Sequence, residues 1–232
     1  ASGPPDLSRA SGPVLKLHQT AWGRVANVRK PTSSACATGD PRLGTAIPAA
    51  DGLLGTMWQG VRAVVFDLDD TLYPEREHTL GCARAAAARL ARLSGEPEER
   101  IFGELAALFD RDPLGPVYDR WLERRGALER ERWLAEALRA HRACRPPLRL
   151  ASATRALLER LRPRFALGLV SDGRLETQRA KVAALGVAAL LDAVVLSDER
   201  GRDGWKPSPA PFLRALARLG VEPGRAVYVG DN

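Results

Sequence analysis

The chain has 232 residues, a formal net charge of +7 and 45% hydrophobic residues. This length accommodates one large domain, or a core with a smaller insert. The sequence contains no apolar run of 18 residues, and it lacks a basic start followed by an apolar stretch. We therefore expect no membrane partner and no secretory signal.

The positive charge comes almost entirely from Arg residues, which alternate with Ala, Leu and Glu along helical stretches such as 120–142. No Lys/Arg block with interleaved aromatic residues is present in the sequence. We interpret these residues as solvated helix faces and expect no nucleic-acid partner. A basic rim that attracts phosphorylated substrates is the alternative.

Three cysteines, Cys36, Cys82 and Cys144, are widely spaced along the chain. Their odd number and their spacing fit neither a zinc site nor a disulfide framework. Unpaired cysteines are typical of a reducing compartment, so the sequence predicts a cytoplasmic protein.

Residues 1–56 are rich in Gly, Pro, Ser and Thr and show no sustained apolar period. They are predicted to form a disordered or weakly structured extension. Met57 is the only Met and stands just before the first predicted strand, so it is a candidate natural start. We expect a chain that begins at Met57 to unfold at the same temperature as the longer chain.

Beyond residue 57, short apolar runs alternate with helical patterns. The strand candidates are 61–66, 165–170, 193–196 and 226–229. The helical patterns between them are 154–162, 174–185 and 208–219. This alternation predicts an α/β fold, in which residues 57–77 and 151–232 form a Rossmann-like parallel sheet with helices on both faces.

The segment 78–150 contains only helical patterns and is predicted to be an all-helical cap inserted into this core. Its helices are expected over Thr79–Leu93, Glu96–Phe109, Val117–Arg125 and Leu128–Cys144, and Pro146-Pro147 marks the return to the core. We expect Trp121 and Trp133 in the core of the cap, and His78 exposed at its start.

A polar group of residues follows each of the four predicted strands. These groups are Asp67-x-Asp69-x-Thr71, Ser171-Asp-Gly173, Lys206 at the end of a long loop, and Gly230-Asp231. Taken singly, each group also fits an ordinary turn, a helix cap or a solvated side chain. Because the carboxyl ends of parallel strands meet at one edge of a sheet, we expect the four groups to lie together.

Asp67 and Asp69 would repel each other at such an edge unless a cation or a shared proton lies between them. Crowded carboxylates suit metal-assisted chemistry on an anionic substrate. A hydroxyl and exposed amides after the second strand can cradle an anion, and Lys206 adds a fixed positive charge. Phosphoryl transfer needs these parts: in-line positioning and neutralisation of charge.

The order of these residues resembles the signature of the haloacid dehalogenase (HAD) superfamily, D-x-D-x-T followed by Ser or Thr, Lys and an acidic motif. The run Ser197–Pro207 resembles subfamily I, whose helical cap is inserted after the first motif. The resemblance covers about residues 61–232. It implies an Mg²⁺-dependent phosphohydrolase that cleaves a small phosphorylated metabolite through an aspartyl-phosphate.

The resemblance also implies a role for each matching residue. Asp67 would be the nucleophile, and Asp69 would be the general acid and then the general base. The phosphate-binding residues would be Thr71, Ser171, Gly173 and Lys206. The Mg²⁺ ligands would be Asp67, Asp69 through its carbonyl, and Asp231. We expect Asp172 to orient the loop that contains it.

Two other readings stay open at the level of sequence. The chain could be a non-catalytic fragment or binding domain on the same fold, or a phosphotransferase or mutase of the family. The dehalogenase branch lacks the second acid, so Asp69 favours phosphate over halide chemistry. The acidic motif and the sheet of this family are expected to continue past Asn232, which suggests a C-terminal truncation. The oligomeric state and the identity of the substrate are left open.

Overall fold

The computed structural model describes residues 58–113, 115–126, 128–201 and 204–231, together with the backbone of 15–20 and 23–28. The described chain divides into two compact units. The first contains the residues up to Leu72, Ala153–Asp172 and the residues from Ala188 onward; the second contains Tyr73–Ser152 and Gly173–Val187. The predicted domains differ from these units chiefly in assigning 173–187 to the core.

The first unit is built on a six-stranded sheet. Its strands are β1 (Leu15–Thr20), β2 (Gly23–Val28), β3 (Ala63–Phe66), β4 (Ala166–Ser171), β5 (Ala193–Leu196) and β6 (Ala226–Gly230). Their order across the sheet is β1-β2-β6-β3-β4-β5. The four strands expected from the apolar runs are confirmed, and all their pairings are parallel. The predicted α/β class is therefore confirmed.

Strands β1 and β2 correct the expectation for the N-terminal residues. They pair with each other in antiparallel fashion, and β2 lies parallel to β6 from Arg24 opposite Val227 to Asn27 opposite Gly230. The sequence predicts a disordered or weakly structured extension and does not indicate these two strands; the rest of 1–57 lies outside the described residues. An open sheet edge supplies backbone hydrogen bonds to any extended segment, so this pairing needs no apolar period in the sequence.

Helices pack on this sheet through apolar side chains. The first unit contains α7 (Ala210–Leu219) and α5 (Ser152–Leu161). The first residue of α5, Ser152, is assigned to the second unit. Buried residues of α7 and of strands β3 to β6 form one core: Ala63, Val65, Val170, Val195, Ala215, Leu216 and Ala226. Strands β3 to β6 are short and mostly buried, as expected for a sheet covered by helices.

The second unit is helical in its described part. Its helices are α1 (Glu75–Ser94), α2 (Glu98–Arg111), α3 (Val117–Glu123), α4 (Arg130–Ala143) and α6 (Leu175–Leu185). Trp121 is 1% exposed in the core that α1 to α4 share, and Trp133 packs against that core, so both tryptophans lie where the sequence predicts. The expectation for His78 is wrong, because its side chain is buried within α1.

The register of the sheet determines which residues meet at its edge. Phe66, the last residue of β3, lies opposite Leu169 of β4 and Val229 of β6. The polar residues that follow these positions are therefore at nearly the same level. Asp67, Ser171 and Asp231 are therefore at the same edge of the sheet.

Because β2 hydrogen-bonds to β6, we now expect removal of residues 1–56 to lower the melting temperature by several degrees. The loss would expose the backbone edge of β6 to water and to other chains. Calorimetry on the chain that begins at Met57 and on the full chain measures this difference. In the full chain, Ala26→Pro should reproduce part of the effect, since proline is poorly tolerated within a paired strand. Equal melting temperatures for all three would contradict the pairing.

Candidate active site

Asp67 is held at the end of β3 by backbone hydrogen bonds. Its amide donates to the carbonyl of Val229 at 2.8 Å, which continues the pairing of β3 with β6 by one residue. Its carboxylate oxygen Oδ1 accepts a hydrogen bond from the amide of Leu68 at 2.8 Å. The residue is only 4% exposed. The sheet thus holds one buried carboxylate at its carboxyl edge.

A tight turn follows Asp67. The amides of Thr71 and Leu72 both donate to the carbonyl of Leu68, at 3.4 and 3.0 Å. Asp70 adopts a φ of 54°, in the left-handed region that Asp tolerates better than most residues. This turn brings Thr71 back toward the edge of the sheet within four residues of Asp67.

Lys206 forms an ion pair with Asp67. Its ammonium nitrogen lies 2.7 Å from Oδ2 of Asp67, and both side chains are mostly buried. The backbone amide of Lys206 donates to Oδ2 of Asp172 at 3.0 Å. Asp172 therefore holds the loop that contains Lys206. The sequence instead predicts that Asp172 orients its own loop. In the same loop, the indole of Trp205 donates to Asp198 at 3.0 Å.

Two buried hydroxyls lie in the segments that follow β3 and end β4. Ser171 is the last residue of β4 and is fully buried. Within the described part of the chain, the hydroxyl oxygens of Ser171 and Thr71 have no hydrogen-bond partner. Leaving a buried hydroxyl unsatisfied costs about 1–3 kcal/mol, so such groups call for a ligand or water. Both hydroxyls belong to residues that the sequence assigns to phosphate binding.

The acidic residues act on one another electrostatically. Burial raises the pKa of Asp67 above its ordinary value, and the nearby charge of Asp69 adds to the rise. The ammonium of Lys206 and the hydrogen bond from Leu68 oppose it. Burial raises the pKa of the Tyr228 hydroxyl, and the charges of Asp67 and Asp231 raise it further. Asp67 and Asp231 therefore both lie near this hydroxyl.

Mg²⁺ is the cation that the sequence predicts for this edge. Among the described residues, no three acidic, His or Cys side chains form a ready-made metal cluster. The candidate donors are instead two carboxylates, of Asp67 and Asp231, and the carbonyl of Asp69. Mg²⁺ prefers hard oxygen donors and usually retains several waters, so a small set of this kind fits it.

Tyr228 is a site residue that the sequence did not reveal. Its hydroxyl accepts a hydrogen bond from the ammonium of Lys206 at 3.1 Å, and it lies near enough to Asp67 for that carboxylate to raise its pKa, after the larger effect of burial. The ring of Phe212 packs edge-on against its ring, with centroids 4.9 Å apart. A Cβ atom at Gly230 would lie 2.7 Å from the Tyr228 hydroxyl, so glycine leaves room for it.

A signal for Tyr228 was present in the sequence. Tyr228 and Gly230 are two residues apart in a strand and therefore face the same side of the sheet. When Gly stands two positions after a polar aromatic residue at the end of a buried strand, no side chain blocks the aromatic ring. The polar group of that residue can then extend past the end of the strand.

Gly173 belongs to the second unit. Its φ of +121° is a backbone conformation that residues with a side chain rarely adopt. A Cβ atom there would lie 2.5 Å from the side-chain nitrogen Nε2 of Gln178. The backbone at this position therefore requires glycine. Its role in phosphate binding stays a prediction.

Comparison with known proteins shows which family has this arrangement. Residues 61–232 match the haloacid dehalogenase-like hydrolases. The chain belongs to this family. A glyceraldehyde 3-phosphate phosphatase of Methanopyrus kandleri is 33% identical over 179 residues, which cover 74% of this chain and 76% of that protein. The recognition made from the motif order is confirmed.

A second relative and a solved structure agree with this assignment. The phosphoserine phosphatase of Thermus thermophilus is 41% identical over 143 residues, which cover 62% of this chain and 50% of that protein. A HAD-superfamily hydrolase of subfamily IA from Geobacter sulfurreducens has a TM-score of 0.56 at 21% identity, over 75% of this chain and 79% of that one. The structure supports the fold, and the two relatives confirm the predicted class of enzyme, a phosphatase.

The contact of Tyr228 with Lys206 and Asp67 predicts that Tyr228→Phe lowers kcat. A hydrogen bond to a charged group contributes about 1.5–3 kcal/mol, so the expected loss is roughly tenfold or more. Turnover of p-nitrophenyl phosphate measures it. Tyr118→Phe is a matched control, since its hydroxyl is hydrogen-bonded to His141, in the second unit, at 2.7 Å. Equal kcat values for the two variants would contradict a role for Tyr228 in the site.

Proposed function

We propose that the chain is an Mg²⁺-dependent phosphatase of small phosphomonoesters that forms an aspartyl-phosphate on Asp67. The observation that carries this proposal is the buried Asp67–Lys206 pair, 2.7 Å apart, at a sheet edge with two unpartnered hydroxyls. A carboxylate nucleophile, a fixed cation and free hydroxyl donors are the groups that phosphoryl transfer needs.

Asp67 attacks the phosphorus atom in this proposal. Lys206 engages one of its carboxylate oxygens and the amide of Leu68 engages the other, so the plane of the carboxylate is fixed. Holding a nucleophile in one orientation lowers the entropic part of the barrier. The ester oxygen leaves, and a phosphoryl group remains on Asp67.

The phosphoryl oxygens are bound by groups that can still form hydrogen bonds. The hydroxyls of Ser171 and Thr71 donate to them, and Lys206 balances their negative charge. Tyr228 and Asp172 keep Lys206 in place, through its ammonium and through its amide. These donors are placed before the substrate arrives, so little reorganisation is needed during the reaction.

Asp69 provides the proton chemistry. It protonates the leaving oxygen in the first step and accepts a proton from the attacking water in the second. A single carboxyl can serve both steps because the first leaves it deprotonated. Asp69 stands two residues after Asp67, within the turn that the amides of Thr71 and Leu72 close on the carbonyl of Leu68.

Asp67, the carbonyl of Asp69 and Asp231 are the groups that would hold Mg²⁺. When bound, the ion offsets the mutual repulsion of these acids and the charge of the phosphate. Phosphatase assays with EDTA, and after readdition of MgCl₂, test this requirement. Full activity in EDTA would remove the ion from the proposal.

The substrate is proposed to be a small phosphorylated metabolite, with no nucleic-acid or membrane partner. Two relatives are named for glyceraldehyde 3-phosphate and phosphoserine, both short phosphomonoesters. Among the described helices, none combines the length and apolarity needed to cross a bilayer. A cytoplasmic location is supported by the cysteine usage. A screen of phosphorylated sugars, acids and nucleotides, read out as released phosphate, identifies the preferred class.

The alternatives predict different outcomes in the same screen. A binding domain would bind phosphate esters without releasing phosphate. A phosphotransferase or mutase would release less phosphate and form a new ester when a sugar acceptor is added. The complete set of Asp67, Asp69, Ser171, Lys206 and Asp231 supports the hydrolase.

Asp67→Asn is expected to abolish turnover and leave the fold intact, because the amide keeps the shape but loses the attacking charge. Phosphate release and melting temperature are measured together. Asp110→Asn is a matched control, since Asp110 forms an exposed ion pair with Arg76 in the second unit. A residual kcat above a tenth of wild type, with deamidation excluded by mass spectrometry, would refute the assignment.

Asp69→Asn should slow the cleavage of alkyl phosphates more than that of aryl phosphates. Protonation matters most when the leaving oxygen is strongly basic, and a general acid contributes roughly 10²- to 10⁴-fold. The kcat/KM values for p-nitrophenyl phosphate and for an alkyl ester give the comparison. Equal losses for the two esters would exclude Asp69 as the acid.

A further inference from the structure

Two cysteines that are far apart in sequence meet in the second unit. Cys82 lies in α1 and is fully buried, whereas Cys144 directly follows α4 and is partly exposed. The thiol of Cys144 donates to the carbonyl of Gly81, the residue before Cys82, at 3.6 Å. The two thiols are also close enough for Cys144 to raise the pKa of Cys82, after the larger effect of burial. Both cysteines are free thiols.

The backbone forces this approach. A Cβ atom at Gly81 would lie 2.5 Å from Cβ of Pro146, closer than any real pair of such atoms. Only glycine therefore lets α1 pack directly on the segment that leaves α4. This contact places Cys82 and Cys144 against each other at the two ends of the helical insert.

A cavity of about 280 Å³ lies beside the thiols. His78 lines this cavity. Its ring nitrogens lie 3.6 and 3.9 Å from the sulfur of Cys82. Arg145, the neighbour of Cys144, and Lys181 also line it, together with prolines and alanines. The positive charges of Lys181 and Arg145 both act on the Cys82 thiol. The ammonium of Lys181 is paired with Glu75 at 3.3 Å, so Arg145 is the residue that supplies positive charge for a small anionic molecule next to the two thiols.

We propose that Cys82 and Cys144 form a reversible disulfide, driven by a small anionic disulfide such as oxidised glutathione that reacts at this cavity. The partly exposed Cys144 reacts first. Its thiolate attacks one sulfur of the small disulfide, forms a mixed disulfide, and releases one thiolate. Exposure decides this order, because a fully buried sulfur is out of reach of a bimolecular reagent.

Cys82 completes the reaction from within. Its sulfur attacks the sulfur of Cys144 in the mixed disulfide and expels the second thiolate of the reagent. The proton of the Cys82 thiol passes to the adjacent His78 and then to solvent. In total two protein thiols are oxidised to one disulfide, and one molecule of small disulfide is reduced to two thiols. Burial and the neighbouring Cys144 raise the pKa of Cys82 to about 12, so it needs this proximity to react.

The disulfide would join the beginning of the insert to its end. Closing such a long loop restricts the unfolded chain and stabilises the folded unit. We therefore expect the oxidised protein to melt at a higher temperature than the reduced one, and added reductant to reverse the shift. This proposal is independent of the phosphatase assignment, because it is read out by thiol chemistry alone.

The test uses the full chain with Cys36→Ser, which leaves only the two thiols of interest. After reaction with oxidised glutathione under native conditions, we expect the intact mass to fall by two hydrogens and peptide mapping to join Cys82 to Cys144. The equilibrium ratio of internal to mixed disulfide should be at least tenfold higher in native buffer than in concentrated urea. Equal ratios in the two conditions, or two bound glutathiones per native chain, would overturn the proposal.

Single variants resolve the order of events and the role of the cavity. In the same background, Cys82→Ala should stop at the mixed disulfide, and Cys144→Ala should stay unreacted. Arg145→Gln should slow the reaction with oxidised glutathione several-fold more than the reaction with the neutral 2-hydroxyethyl disulfide. Equal slowing for the two reagents would show that the positive cavity does not select an anionic one.

Discussion

The ion pair between Asp67 and Lys206 is the interaction on which the arrangement of the site depends. A buried carboxylate is costly unless it is paired and hydrogen-bonded, and here both of its oxygens have a partner. Lys206 in turn is fixed by Asp172, which directly follows β4, and by Tyr228, which lies in β6. The strand register, the loop of Lys206 and the packing of Tyr228 therefore all help to position this one pair of charges.

The same pair offsets only part of the negative charge at this edge of the sheet. Asp67, Asp69 and Asp231 repel one another, and one ammonium cannot balance all of them. Their repulsion is a cost to folding that a bound cation would remove. A protein of this kind gives up some stability at the site in order to keep its binding groups ready.

The sequence predicts the four parallel strands well because the evidence for them is local: a short apolar run, followed by polar residues just past its end. The same reasoning fails for Tyr228, because only the packing of Phe212 and the absence of a side chain at Gly230 turn its hydroxyl toward Lys206. It also fails for Cys82 and Cys144, whose contact depends on how two helices pack. Strand β2 was missed because backbone pairing at a sheet edge leaves no trace in side-chain composition.

The order of strands also has a consequence for how the chain folds during synthesis. Strand β3 emerges before both of its neighbours, β4 and β6, which lie on the far side of the helical insert. The core of the insert, by contrast, draws its residues from Ala86 to Leu138 and can pack as soon as they have emerged. Contacts between residues that are close in sequence form faster than distant ones. On the ribosome, the core of α1 to α4 would thus be packed while β3, which leads into Asp67, still waits for β4 and β6.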